Sequence, residues 1–221
     1  MKILLSVAAM MAFFYSTQSL ASYTLDFDCI TYNSTTDCSI GENQLSIEIN
    51  DIGNNQVEFI FLNTGLEDSS IEGVYFDDGS LLGISYLIDK DDGVGGLAGV
   101  DFTGGSASPP KLPGDNIANP KFIVTSGFLA DSDPPTSKNG VNPNEWLGVV
   151  FDLQAGREFE DVLTELGNGD LRIGMHVIAF ESGGSESFVN NAFTVPLPAP
   201  VMLFASGILL ILRMSKHRKA R

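Results

Sequence analysis

His176 is the one histidine between the two ends of the chain, and it is the side chain best suited to proton transfer. A catalytic histidine needs a nucleophile at one ring nitrogen and an orienting carboxylate at the other. The serines of Gly183-Gly184-Ser185-Glu186-Ser187 are the nearest nucleophiles in sequence, but they do not form the strained strand-to-helix elbow that exposes a catalytic hydroxyl. His176 instead shares strand parity with Arg172 and reads as a locally bonded strand residue, so no catalytic residue is assigned. Paired carboxylates suffice for glycoside hydrolysis, yet with 28 acidic residues such a pair singles out nothing. Asp89, Asp91, Asp92 and Gly93 begin like a calcium loop, but the twelfth position is Val100 where a bidentate Glu is required. Asp77, Asp78, Asp131 and Asp133 would supply oxygens to a nonstandard calcium site. The expectation is solvated acidic turns and no cofactor, with calcium as the one cation left open. Trp146, Tyr75 and Tyr86 would suit a sugar-stacking platform, although aromatics at strand parity commonly face a core.

Cys29 and Cys38 are the only cysteines. Two cysteines this close pair in an oxidising compartment. A metal site would need a second pair or a nearby histidine, and neither exists. The enclosed segment is polar and reads as a flexible loop. Asn33-Ser34-Thr35 matches a glycosylation sequon by chance.

These residues need a scaffold, and Gly and Pro punctuate short apolar runs in the manner of an all-β domain. Leu45, Ile47 and Ile49 alternate with Ser46, Glu48 and Asn50, and beyond the turn Asp51–Asn55 Val57, Phe59 and Phe61 alternate about Glu58, which predicts a hairpin. A second hairpin is expected from Ile71–Phe76 and Leu81–Ile88 about Asp77-Asp78-Gly79. Further strands are expected at Phe122–Leu129, Trp146–Leu153 and Leu171–Phe180, with Leu147, Val149, Phe151 and Leu153 on one core face. Phe159, Val162, Leu163 and Leu166 have helical spacing. Glu158, Glu160 and Asp161 load the first turn of that helix, and Gly167 ends it. Residues 93–140 are loop-rich. The fold class is mainly β: a jelly-roll-like β-sandwich with one short surface helix.

Both ends carry addresses. Lys2, the apolar run Ile3–Tyr15 and the small residues Ser19 and Ala21 form a signal peptide over residues 1–21, cleaved between Ala21 and Ser22. Residues 22–194 form the exported domain. At the other end come Val195, Pro196, Leu197, Pro198, Ala199 and Pro200, then an uncharged apolar run ending at Leu212. Arg213, Lys216, Arg218, Lys219 and Arg221 close the chain. A helix of residues 198–212 is short against the roughly 20 residues a bilayer core needs. Arg213 extends it by snorkelling, and positive flanks stay cytoplasmic, so the domain faces outward. Of the 12 basic residues, Lys2 and the five in the tail leave six between the ends, against all 28 acids, a net charge of −22. Such a surface excludes nucleic acid as a partner.

The segment 195–221, with its Val-Pro-Leu-Pro-Ala-Pro motif, short apolar helix and basic tail, resembles the PEP-CTERM class of bacterial sorting signals, in the variant that begins Val-Pro-Leu-Pro-Ala. The usual Glu between the first two prolines is Leu197 here. The resemblance implies a Gram-negative host that makes exopolysaccharide. It also implies an exosortase-type membrane protease as partner, cleavage near the motif and transfer to the cell surface. Gly140–Leu153 and Gly183–Asn190 look like parts of other exported proteins bearing this tail. The expected function is that of a non-catalytic cell-surface or matrix protein, with a carbohydrate-binding module, calcium-dependent or not, as the alternative.

Overall fold

A computed structural model of the chain describes residues 22–77, 81–89 and 99–191. Residues 1–21, the motif Val195–Pro200, the apolar run and the basic tail Arg213–Arg221 lie outside the described residues, as do Asp78, Asp91, Asp92 and Gly93.

Two antiparallel sheets enclose the core. The first contains β1 (Tyr23–Leu25), β3 (Leu45–Gly53), β4 (Gln56–Asn63), β9 (Glu145–Leu153) and β6 (Leu81–Ile88), in that order. The second contains β2 (Phe27–Cys29), β11 (Glu186–Asn190), β10 (Arg172–Ile178), β5 (Ser70–Asp77), β8 (Leu129–Ser132) and β7 (Phe102–Gly104). The alternation read from β3, β4 and β9 holds: Ile47, Ile49, Phe59, Phe61, Leu147, Val149 and Phe151 are all fully buried. Opposite them lie Val74 and Phe76 of β5 and Ile173, Met175 and Val177 of β10. Phe76 joins the layers, with ring centroids 5.2 Å from Phe59 and 4.6 Å from Phe151 in edge-to-face geometry. The β3–β4 hairpin turns at Asn54 and Asn55, both at positive φ, as a tight two-residue hairpin turn requires.

The second expected hairpin does not form. β5 pairs with β10 and β8 in one sheet, whereas β6 pairs with β9 in the other. β5 carries Val74 and Phe76 on one face and Tyr75 on the other, all buried, so it needs a central position covered on both sides. In the expected strand Phe122–Leu129, only Leu129 is in regular strand, at the start of β8. Thr125 N–H donates to the Phe76 carbonyl, and Gly127, at φ +83°, turns the chain back so that Phe76 N–H reaches the Phe128 carbonyl.

Among the described residues three helices complete the fold: α1 (Thr35–Gln44), α2 (Thr136–Asn139) and α3 (Phe159–Asn168). The expected apolar stripe of α3 is buried in full. The helix runs past Gly167, and Gly169 at φ +83° is its left-handed cap. α1 corrects the expected flexible loop between the cysteines. Ser34 caps it by accepting from Asp37 N–H at 3.3 Å, and its buried face is Asp37, Cys38, Gly41 and Gln44. These have helical spacing but are mostly polar or small, so hydrophobic periodicity does not reveal them. A Cβ on Gly41 would lie 2.1 Å from the Phe188 ring, which is how closely α1 sits on β11. The Cys29–Cys38 disulfide joins β2 to α1. Replacing both cysteines by serine should cost about 2–3 kcal/mol from the entropy of closing so short a loop, read as an earlier denaturation midpoint that reductant no longer shifts.

Candidate functional site

The second sheet is covered on both faces. Its inner face meets the core, and the loop-rich segment 105–128 lies across its outer face as a strap. Leu112 and Phe122 of the strap pack with Tyr75, Leu129 and Val189 in a second, smaller apolar cluster. They sit over Gly174, where a Cβ would come within 2.7 Å of Leu112. Arg172 fixes the strap from below, donating to the carbonyls of Pro120 and Lys121 and to Asp77, with its guanidinium 5.2 Å from the Phe122 ring centre. Asp77 also accepts from Ile123 N–H. At the other end Asp131 accepts from Ser108 N–H, and the Tyr75 hydroxyl donates to the Pro109 carbonyl.

His176 lies on this face in a transverse polar row. Strand register places Ser187, His176, Gly73, Asp131 and Thr103 side by side across β11, β10, β5, β8 and β7. A bulge makes Glu72 the extra residue opposite His176, and bulges re-aim side chains in this way. His176 Nδ1 lies 2.8 Å from Glu72 Oε2, at ion-pair distance but out of line for a hydrogen bond. His176 Nδ1, Ser187 Oγ and Asp131 Oδ1 are buried atoms without hydrogen-bond partners among the described residues. A serine, a histidine and a carboxylate thus do converge, which the sequence did not indicate. Yet Ser187 is 0 % exposed in mid-strand, where no substrate can meet its hydroxyl.

Burial controls the charges here. Desolvation pushes the His176 imidazole below its ordinary value of 6.5, against the attraction of Glu72. Desolvation raises the Asp131 carboxyl, helped by Glu72 and Asp133 and opposed by the Ser108 amide. Tyr75 is raised by burial and by the negative charge of Asp131 and Glu72.

The other sequence candidates are dispersed. Asp133 accepts from Thr103 Oγ1 with both carboxylate oxygens, and Asp89 accepts from Phe102 N–H. Together with Asp77 and Asp131, they serve the protein's own donors. Tyr75 is buried under the strap, whereas Tyr86 and Trp146 lie on the outer face of the first sheet, so the three aromatics make no common platform. Among the described residues, Cys29, Cys38 and Glu186 are close enough together to hold a metal ion, but the two sulfurs are bonded to each other. Glu186 is buried, and its carboxylate accepts from Thr31 Oγ1 and from the amides of Asn33 and Ser34, the latter at 2.6 Å. It pins the β2–α1 connection to β11.

A cleft of about 400 Å³ opens on the same side of the molecule, away from His176. It lies where β2, β11 and the start of β10 meet the strap and the C-terminal end of α3. Ile30, Ala118 and Val189 give it an apolar floor, and Asp28, Asn119, Asn168 and Asn191 give it a polar rim. Asp28 Oδ1 accepts from Asn191 Nδ2 at 3.0 Å, and Asn190 Oδ1 holds Ile173 N–H at 2.7 Å. None of these rim residues is marked by sequence. Carboxamides on unrelated segments carry no pattern until the fold gathers them.

The titrations have opposite signs. His176 favours folding fully above pH 6.5, and that contribution drains as pH falls from 6.5 through its lowered folded value. Asp131 opposes folding at neutral pH, and this cost is relieved as pH falls through its raised value towards 3.8. The melting temperature of His176→Gln should therefore fall less than that of the wild type between pH 6.5 and 4.5. Asp131→Asn should gain stability at pH 7 and lose that gain near pH 4. Comparison with protein-family models, curated proteins and solved structures gives no match.

Proposed function

We propose that this chain is an exported, non-catalytic protein of the cell surface or extracellular matrix, anchored through its C-terminal segment and then processed there by an exosortase-type membrane protease. The observation that carries the reading is the Cys29–Cys38 disulfide, since such bonds persist in oxidising compartments outside the cytosol. The export pattern of residues 1–21, the motif Val195–Pro200 and the basic tail support it from sequence. The non-catalytic part rests on the inaccessible Ser187 and on the engagement of the acidic side chains with the protein's own donors. The chain crosses from one sheet to the other at Asp26 and again between β5 and β6, which supports a jelly-roll-like connectivity. Among the described residues no helix is long and apolar enough to cross a membrane.

A second reading, a carbohydrate-binding module that contacts extracellular polysaccharide, is favoured by the amide-rimmed cleft beside the strap.

Pulse-chase of a protein carrying one epitope in the domain and one after Arg221 tests the first reading. The tail epitope should disappear from the surface fraction while the domain epitope persists. Pro196→Ala with Pro198→Ala should leave the tail attached. A wild-type tail that survives on all surface protein overturns the processing step, and a domain epitope confined to the cytosol overturns export.

A further inference from the structure

The cleft between the strap and the α3 C-terminus has a composition that selects one class of ligand. Its floor of Ile30, Ala118 and Val189 offers apolar contact. Its rim offers the exposed carboxamides of Asn119 and Asn191 and the exposed carboxylate of Asp28, while Asn168 is engaged with Asp170 through both its nitrogen and its oxygen. No hydrogen bond within the described residues engages the Asn119 side chain. The α3 C-terminus, at Asn168 and Gly169, adds the negative end of a helix dipole. Arg172 is the one cation among the described residues lining the cleft, and its donors are committed to Asp77, Pro120 and Lys121. The site thus accepts hydrogen bonds in excess, donates some through amides and repels anions.

The edges match the floor. Tyr32, two residues beyond Ile30, is 60 % exposed at φ 50°, a backbone conformation unfavourable for a bulky side chain. Ile117 and Ile123 of the strap are 57 % and 64 % exposed. These solvent-facing apolar side chains belong to the two chain segments that supply Ile30 and Asn119 to the cleft, outside its own lining. About 400 Å³ lies within the range of small-ligand sites, about 300–1,000 Å³.

A ligand with an apolar ring face, many hydroxyl donors and no negative charge meets all of these conditions. We infer that the cleft binds an uncharged saccharide unit, its C–H face on the apolar surface of Ile30, Ala118 and Val189 and its hydroxyls on Asp28, Asn119 and Asn191. This rests on the second reading above and names its site and ligand class. An extended peptide would share the amide contacts but has no fixed apolar ring face to lay on a floor this short, and an acidic sugar would meet Asp28 and the helix end.

The test uses the full chain purified in detergent and isothermal titration with cellotriose, maltotriose, a galacturonate trisaccharide and an uncharged tetrapeptide. At least one neutral trisaccharide should bind. Asn119→Ala and Asp28→Asn should each weaken it about fivefold to tenfold, as loss of one hydrogen-bonding group would. Glu48→Ala, on the far sheet, should leave it unchanged, and the galacturonate should bind at least about tenfold more weakly. Circular dichroism confirms that each variant is folded. Absence of neutral-sugar binding, tighter binding of galacturonate or of the peptide, or binding indifferent to Asn119 and Asp28 overturns the inference. Titration reads the folded domain directly, so a failure of export or tail processing in cells is distinguishable from a failure of the cleft.

Discussion

The corner where β2 meets α1 and β11 depends on one buried carboxylate and one covalent bond. β2 is three residues long and sits at a sheet edge, and its ladder to β11 is short. Glu186 reaches from β11 to collect Thr31, Asn33 and Ser34 of the following turn, and the disulfide ties Cys29 to the first turns of α1. Glu42 of α1 returns to accept from Cys29 N–H at 3.1 Å. Hydrogen bonds to a charged group contribute more than neutral ones, about 1.5–3 kcal/mol each, and removing Glu186 would strand several donors at once. Asp28 and Ile30 stand on this pinned segment, so one wall of the cleft is only as well placed as the corner.

The second constraint is that one sheet is apolar on both faces. Tyr75, Leu129 and Val189 point away from the main core and would be exposed without the strap. Covering them buries what lies between, which is how His176, Glu72 and Asp131 come to sit in a low-dielectric layer. The first sheet differs in having a mixed outer face, where Glu48, Asn50, Gln56 and Glu58 stand beside Ile60, Leu62, Trp146 and Val150, and β6 exposes Leu82 and Tyr86 at its edge. This asymmetry places the cleft beside the strap.

The parts of the fold legible in sequence are those where period and burial coincide. β3, β4, β9 and the apolar stripe of α3 were readable because each buries one clean face. The β5–β6 pairing was misread because an acidic Gly-containing turn suits a corner as well as a hairpin, and only the two-sided burial of β5 distinguishes them. α1 was invisible to periodicity because its buried face is Asp37, Cys38, Gly41 and Gln44; the one available signal was Ser34 three residues before Asp37. The cysteine pairing was readable from spacing and count together with the export pattern of residues 1–21. The rim of the cleft was not, since Asp28, Asn119, Asn168 and Asn191 become neighbours only through tertiary contacts.

Export, the pinned corner and an outward-facing cleft are one account of a domain built for life outside the cytosol. Its most direct test is the state of Cys29 and Cys38 in living cells, trapped by alkylation at harvest and read by mass spectrometry alongside protease shaving of intact cells. The account predicts a linked pair in a chain that begins at Ser22 and is cut by external protease. Alkylated thiols on a chain that still begins at Met1 and is shielded until lysis would contradict it.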